Sequence, residues 1–186
     1  MAKRPPIKVD LSVKGIEELK RELLNYKEVT LKNLLREYVT ELAQEGITVG
    51  QQNVGGFGKY ITFSIQTDIT KDGCKALMVA TETGKIISSW QTADGIKTAE
   101  VSPLLMAEFG SGWGAENPMN VPGVGQGTFP SETAQQNAFN KEGWYWMDLD
   151  GNWNYSKGIT AKMPMYKASQ RIQEIARSKA REVFGK

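Results

Sequence analysis

Carboxylates are the groups to ask about first, because this chain of 186 residues has no histidine and a single cysteine, Cys74. Without imidazole there is no Ser-His-Asp or Cys-His machinery. One thiol makes neither a Cys/His zinc site nor an intramolecular disulfide. What remains is carboxylate, Lys or Tyr chemistry, or a metal held by oxygen. Glu108, Glu116, Asp148 and Asp150 are the carboxylates nearest the aromatic and glycine-rich segments. A glycosidase needs two such groups flanking a sugar cleft, and nothing in their spacing singles out a pair. Asp148-Leu-Asp150-Gly-Asn152 has the alternating oxygen ligands that begin a calcium loop, but the sixth position is Trp153 instead of glycine and the twelfth is Ile159 instead of glutamate. A hairpin turn accounts for it. Gly123-Val-Gly-Gln-Gly127 lacks both the lysine and the strand-to-helix setting of a phosphate-cradling loop. No cofactor and no metal are expected.

The second chemically distinctive group is aromatic. Trp144, Tyr145, Trp146, Trp153 and Tyr155 fall within a dozen residues around Asp150-Gly151, and predict a hairpin of two aromatic strands. Strands alternate faces, so Trp144 and Trp146 share one side and Tyr145 takes the other. One side can then enter a core or a subunit contact. The segment is also similar to one unit of the choline- or glucan-binding repeats of cell-wall proteins. Those modules bury their apolar faces by stacking several units, and only one is present here.

The elements that must position these residues follow from periodicity. Residues 6–13 alternate at Ile7, Val9, Leu11 and Val13, the period of a half-buried strand. From Gly15 the period changes to three and four at Ile16, Leu19, Leu23, Leu31, Leu34, Leu35, Tyr38 and Leu42. That pattern is one long amphipathic helix, or two joined between Asn25 and Thr30, and it is expected to pack against a sheet. Gly46 and the glycines from 50 to 58 are expected to end it. Strands are predicted at Tyr60–Ile69 and Cys74–Thr81, joined by a turn at Asp72-Gly73, and again at Lys85–Gln91. Thr98–Phe109 reads equally as a short helix or a strand. Six glycines and three prolines between 110 and 130 exclude a regular element there, and the irregular tract extends to Lys141. A helix from Met165 to Phe184, entered through Pro164, closes the pattern. The expected architecture is one α+β domain over 1–186. An antiparallel sheet is packed by the long N-terminal helix, or helix pair, and the C-terminal helix, with the long Gly/Pro-rich loop and the aromatic hairpin attached.

Charge is unevenly spread. Residues 1–14 carry net +3 and include Arg4; residues 162–186 hold seven Lys/Arg, Arg171 among them, against Glu174 and Glu182, net +5. Subtracting these from the total of +2 leaves −6 for the middle. Basic ends on an acidic body suit either nucleic acid or packing of copies against one another. The start has no apolar run of the secretory type and no stretch has 18 apolar residues together, so a soluble protein of the reducing cytoplasm, or of a particle assembled there, is expected.

Glu108-Phe-Gly-Ser-Gly112 resembles an element of the small tail-component family of long-tailed bacteriophages, whose members act in tail completion and head–tail joining. Other features agree in order: the helix after Gly15-Ile-Glu-Glu-Leu19, the Gly/Pro-rich loop, Gly143-Trp-Tyr-Trp146, and Lys157-Gly-Ile-Thr-Ala-Lys-Met-Pro-Met-Tyr166 before the last helix. The likeness spans residues 7 to 184. Two features depart from it. Gln51–Gly58 stands where family members often have Pro-x-x-Thr-Gly, and Leu104-Leu105-Met106 replaces a common aromatic residue.

The resemblance implies a non-enzymatic structural protein that forms a homo-oligomeric ring, with a hexamer the expected form. The ring sits at the top of the tail tube, where it meets the neck and connector, within the virion and, during assembly, the host cytoplasm. Genomic DNA would pass through its channel without specific binding, and no membrane is involved. Glu108 to Gly112 would form the turn at which loop 110–141 leaves the sheet to reach its neighbours. The residues expected to make contacts are Glu108, Phe109, Gly110, Gly112, Trp113, Trp144, Trp146, Trp153, Arg4 and Arg171. Two rival expectations come from the residues themselves: a carbohydrate-binding module using the tryptophans, and a tail-associated hydrolase using Glu108.

Overall fold

A computed structural model describes residues 12–70, 73–116 and 142–185. Helix α1 (Val13–Asn25) begins at Ser12, whose side chain accepts from the Gly15 N–H at 3.1 Å. Val13 therefore opens a helix and does not end a strand; the rest of the expected strand, with Arg4, lies outside the described residues. One π turn follows (Tyr26–Thr30), marked by the Leu31 N–H reaching back five residues to the Tyr26 carbonyl. Helix α2 (Leu31–Asn53) continues in the same direction. The join expected between Asn25 and Thr30 is thus a widened turn inside one rod. An extra residue in that turn rotates what precedes it by about 100°, which brings Ile16, Leu19 and Leu23 into line with Leu31, Leu35 and Tyr38.

The helix ends inside the expected glycine-rich region, at Asn53, but Gly46 and Gly50 themselves do not end it. Both are buried inside α2 because its neighbours come too close for a side chain. A methyl at Gly46 would stand 2.7 Å from Ile172 Cδ1, and one at Gly50 would stand 2.8 Å from the Phe63 ring. That close approach opposes a side chain at either position, against the ~1 kcal/mol that glycine costs a helix.

Strands β1 (Ile61–Ile69) and β2 (Cys74–Glu82) form an antiparallel hairpin with Ile61 opposite Glu82 and Ile69 opposite Cys74. Strand β3 (Ile86–Thr92) pairs with β4 (Gly95–Val101) across a two-residue turn that the sequence pattern did not reveal. Thr98–Phe109 resolves into both alternatives. Strand β4 ends at Val101, and helix α3 (Pro103–Phe109) starts at once, with Ser102 capping the Leu105 N–H. Strands β5 (Trp144–Met147) and β6 (Trp153–Ser156) make the aromatic hairpin, and helix α4 (Pro164–Phe184) completes the described chain. In place of the single sheet expected there are two, β1-β2 and the four-stranded β4-β3-β5-β6.

Helix α2 sits between the β1-β2 hairpin and α4, which runs antiparallel to it. Asn53 meets Lys167 at 3.0 Å and Glu41 meets Lys179 at 3.2 Å. Near the far end the Tyr38 hydroxyl donates to the Ala176 carbonyl and the Tyr38 ring leans on Phe184. Ala43, Ile47 and Leu42 of α2, and Ala168 and Val183 of α4, are buried along this body. A second cluster joins Val54, Ile61 and Ala107 with Phe57, Tyr60 and Phe63. The four-stranded sheet meets this core at one end, where Val101 and Ile86 pack with Met106 and Phe57. Helix α1 is different. It contains no buried residue, and among the described residues its substantial contacts are with the π turn alone. Among the described residues no sheet covers its apolar stripe, contrary to expectation.

Candidate assembly site

Glu108 opens the Glu108–Gly112 segment, in the last turn of α3. Its Oε2 accepts from the Met165 N–H at 2.8 Å and its Oε1 from the Tyr166 N–H at 2.9 Å. These are orphan donors at the start of α4, a helix of 21 residues. Met163, in the N-cap position, has left-handed backbone (φ 53°) and gives no side-chain cap. The Glu108 carboxylate does that work from another element and places negative charge at the positive end of the helix dipole. Both of its oxygens are spent on this.

The same device recurs one step earlier. Glu82, at the end of β2, accepts from the Leu104 N–H at 3.2 Å and from the Ser102 hydroxyl, at the start of α3. Burial opposes ionisation of Glu82, but the bonds from Lys85, Ser102 and Leu104 outweigh it and hold its carboxyl below the usual range. Strand β2 is thereby tied to α3, and α3 to α4.

The residues after Glu108 are laced to the segment that leads into α4. The Ser111 N–H donates to the Ile159 carbonyl (2.8 Å) and the Ile159 N–H to the Ser111 carbonyl (3.0 Å). The Trp113 N–H donates to Lys157 (2.7 Å) and the Ala161 N–H to Gly114 (2.9 Å). Gly110 must be glycine twice over: its φ is +64°, and a side chain would overlap the Ile159 carbonyl and the Ala161 amide. The expected departure of a loop from a sheet at Glu108–Gly112 is therefore corrected. The chain leaves a helix, and 110–116 forms a seam with 157–163, with Gly110, Ser111, Gly112, Gly114 and Ala115 buried. Expected loop residues 117–141 lie outside the described residues. Phe109 is half-buried, and its carbonyl accepts from the Glu116 N–H at 2.8 Å. Trp113 has its backbone in the seam while its side chain is 65% exposed.

The aromatic hairpin shows the face separation expected from alternation. Tyr145 lies opposite Tyr155, and Met147 opposite Trp153. The tyrosine rings are 4.9 Å apart between centroids. Tyr145 is 71% and Trp153 69% exposed, whereas Trp146, on the other face, is half-buried. Trp144 pairs with Ser156 through the backbone. Asp148 holds the connecting loop, accepting from the Asn152 N–H (2.8 Å), the Asp150 N–H (3.1 Å) and the Asn154 amide (3.1 Å). These bonds, the Asn152 N–H foremost, draw its carboxyl below the ordinary aspartate range. That is the turn role, with both Asp148 carboxylate oxygens accepting bonds from the loop itself. Among the described residues no group of three His, Cys, Asp or Glu could hold a metal.

Arg171 is at an exposed position on α4, with Glu174 at 3.6 Å. The structure thus brings Glu108, Phe109, Gly110 and Gly112 together. It places Trp153 on an open sheet face, with Trp146 on the opposite side. Arg171 stands apart on the helix. Sequence reasoning missed Glu82 and the outward Ile87 and Ile96 of β3 and β4. Glu82 is remote in sequence from α3. The run Ile86-Ile87-Ser-Ser-Trp90 breaks the alternation that would have assigned faces.

Replacing Glu108 by Ala removes two caps and one charge at α4, and a loss of about 1–2 kcal/mol of stability is expected. Hydrogen exchange should quicken first at Met165 and Tyr166; unchanged protection there would contradict the capping role. Asp148 has a depressed folded-state pKa, so its contribution is present at neutral pH and is lost as pH falls through and below the usual aspartate range. An acid-induced change in Trp153 fluorescence should follow, and should be absent in Asp148→Asn.

No family model, no curated protein and no solved structure matches the chain.

Proposed function

We propose that this chain is a non-enzymatic structural protein whose copies form a ring at the head–tail junction, or the top of the tail tube, of a long-tailed bacteriophage. The Glu108–Gly112 element and the order of the segments around it supply the virion setting. The observation that carries the assembly role is α1. Among the described residues this 13-residue segment has no buried side chain and gains nothing from tertiary packing, so propagation from α2 through the π turn is all that holds it helical. Ile16, Leu23 and Leu24 are each about half exposed, so covering them contributes on the order of 1 kcal/mol apiece. Such a helix fits a protein completed by its neighbours. The exposed α4 arginines, Arg171 among them, are read as facing neighbouring subunits or rings, because strong phosphate contacts in a channel would hold the passing DNA.

A second reading has its own observation. Tyr145, Trp153 and Tyr155 expose their rings on one sheet face, a surface on which sugars can stack. This is the carbohydrate-binding module.

Negative-stain imaging and mass measurement of the purified protein, with and without tail tubes, test the first reading. Rings that cap tube ends are expected, with six copies the number the resemblance implies. A protein that stays monomeric and ignores the tubes would defeat it. Titration with choline or glucan fragments, followed by Trp fluorescence, tests the second. The assembly reading expects no saturable response.

A further inference from the structure

The chain carries two large apolar surfaces that are uncovered among the described residues. The first is the apolar side of α1, where Ile16, Leu19, Leu23 and Leu24 line a shallow groove of about 330 Å³ rimmed by Lys20 and Lys27. At about 100° per residue, Lys20 and Lys27 are the only charges on that side, and Glu17, Glu18, Glu22 and Glu28 fall on the other half of the helix.

The second is one face of the four-stranded sheet. The pairings Trp153 with Met147, Met147 with Gln91, and Gln91 with Ile96 run straight across all four strands. Alternation adds Ile87 and Glu100 at one end and Tyr145 and Tyr155 at the other. Ile87 is 70% and Ile96 66% exposed. The opposite face holds the buried Ala99 and Val101, so the sheet has an inside and an open outside. Of the strand residues on the open face only Glu100 is charged, and the flanking loops add Asp94, Glu142, Asp148 and Asp150 against Lys85 and Lys157.

We propose that the apolar side of α1 docks on the open face of the four-stranded sheet of a second copy of this chain. Charge complementarity selects this occupant: an apolar strip whose only charges are lysines meets an apolar sheet whose surrounding charges are acidic on balance. Size agrees. Helix α1 with its π turn, 13 and 5 residues, is about 27 Å long, enough to cross a sheet about 15 Å wide between its outer strands. Two α1 helices facing each other would bring lysine rims together. The contact is heterologous, since each copy offers a helix to one neighbour and a sheet to the other, and repetition closes a ring or extends a filament. This rests on the assembly reading above and names the surfaces for it.

Complementation in the full chain tests it. Leu23→Asp spoils the helix and Trp153→Glu spoils the sheet, and both sites are exposed, so folding checked by circular dichroism should be retained. By analytical ultracentrifugation the unaltered chain should self-associate and each variant should be monomeric. An equimolar mixture should give a one-to-one dimer and nothing larger, because each variant keeps one sound surface. A second pair guards against misfolding: Lys20→Glu with Lys27→Glu should lose association, and adding Glu100→Lys with Asp150→Lys should restore it. Association by Trp153→Glu alone, or a mixture that stays monomeric, overturns the docking. If the unaltered chain forms rings that neither variant disturbs, the docking fails while the assembly reading stands. If it never associates and leaves tail tubes bare, both fail.

Discussion

The rest of the molecule depends on carboxylates placed at the starts of helices they do not belong to. Glu82 holds the start of α3, and Glu108, at the end of α3, holds the start of α4. Helix α4 then provides one of the two walls against which α2 is packed. A charge at a helix N-terminus acts over a turn or so, and its donors must be aimed at it. The two glutamates therefore fix direction as well as add stability. With Glu108 committed, the glycine-rich segment after it can follow only a narrow path, and Gly110 is where that path passes the Ile159 carbonyl.

Much of this was legible in the residues. Alternation and Asp-Gly turns placed β1, β2 and the aromatic hairpin within a residue or so, and Pro164 marked the start of α4. The weak helix formers from Asn25 to Thr30 marked the π turn, although not its kind. The failures have one cause. Gly46 and Gly50 read as terminators because local propensity knows nothing of Ile172 and Phe63, which lie far off in sequence and occupy the space of a side chain. The division into two sheets was hidden similarly, since β3 joins β5 across a long intervening segment.

The candidate site shows the same split between type and place. Glu108-Phe-Gly-Ser-Gly112 was conspicuous by composition, but its carboxylate serves the backbone of α4, which no spacing within the motif discloses. Simple alternation correctly put Tyr145 and Trp146 on opposite sides. Alternation could not tell which side faces water. That is decided by β4, whose buried Ala99 and Val101 lie on the opposite side, Val101 packing into the core.

The pairing of α2 with α4 sets the order of events in folding. Tyr38 and Ala176, joined by a hydrogen bond, are 138 residues apart in the chain. Contacts of such long range form slowly, because a large loop must close before they return any free energy. During synthesis the β1-β2 hairpin is available to cover one side of α2 well before α4 emerges. The side of Gly46 that meets Ile172 has no cover from α4 until then. The last helix to dock is also the one Glu108 caps, so a single late event both closes the core and locks the seam between 110–116 and 157–163.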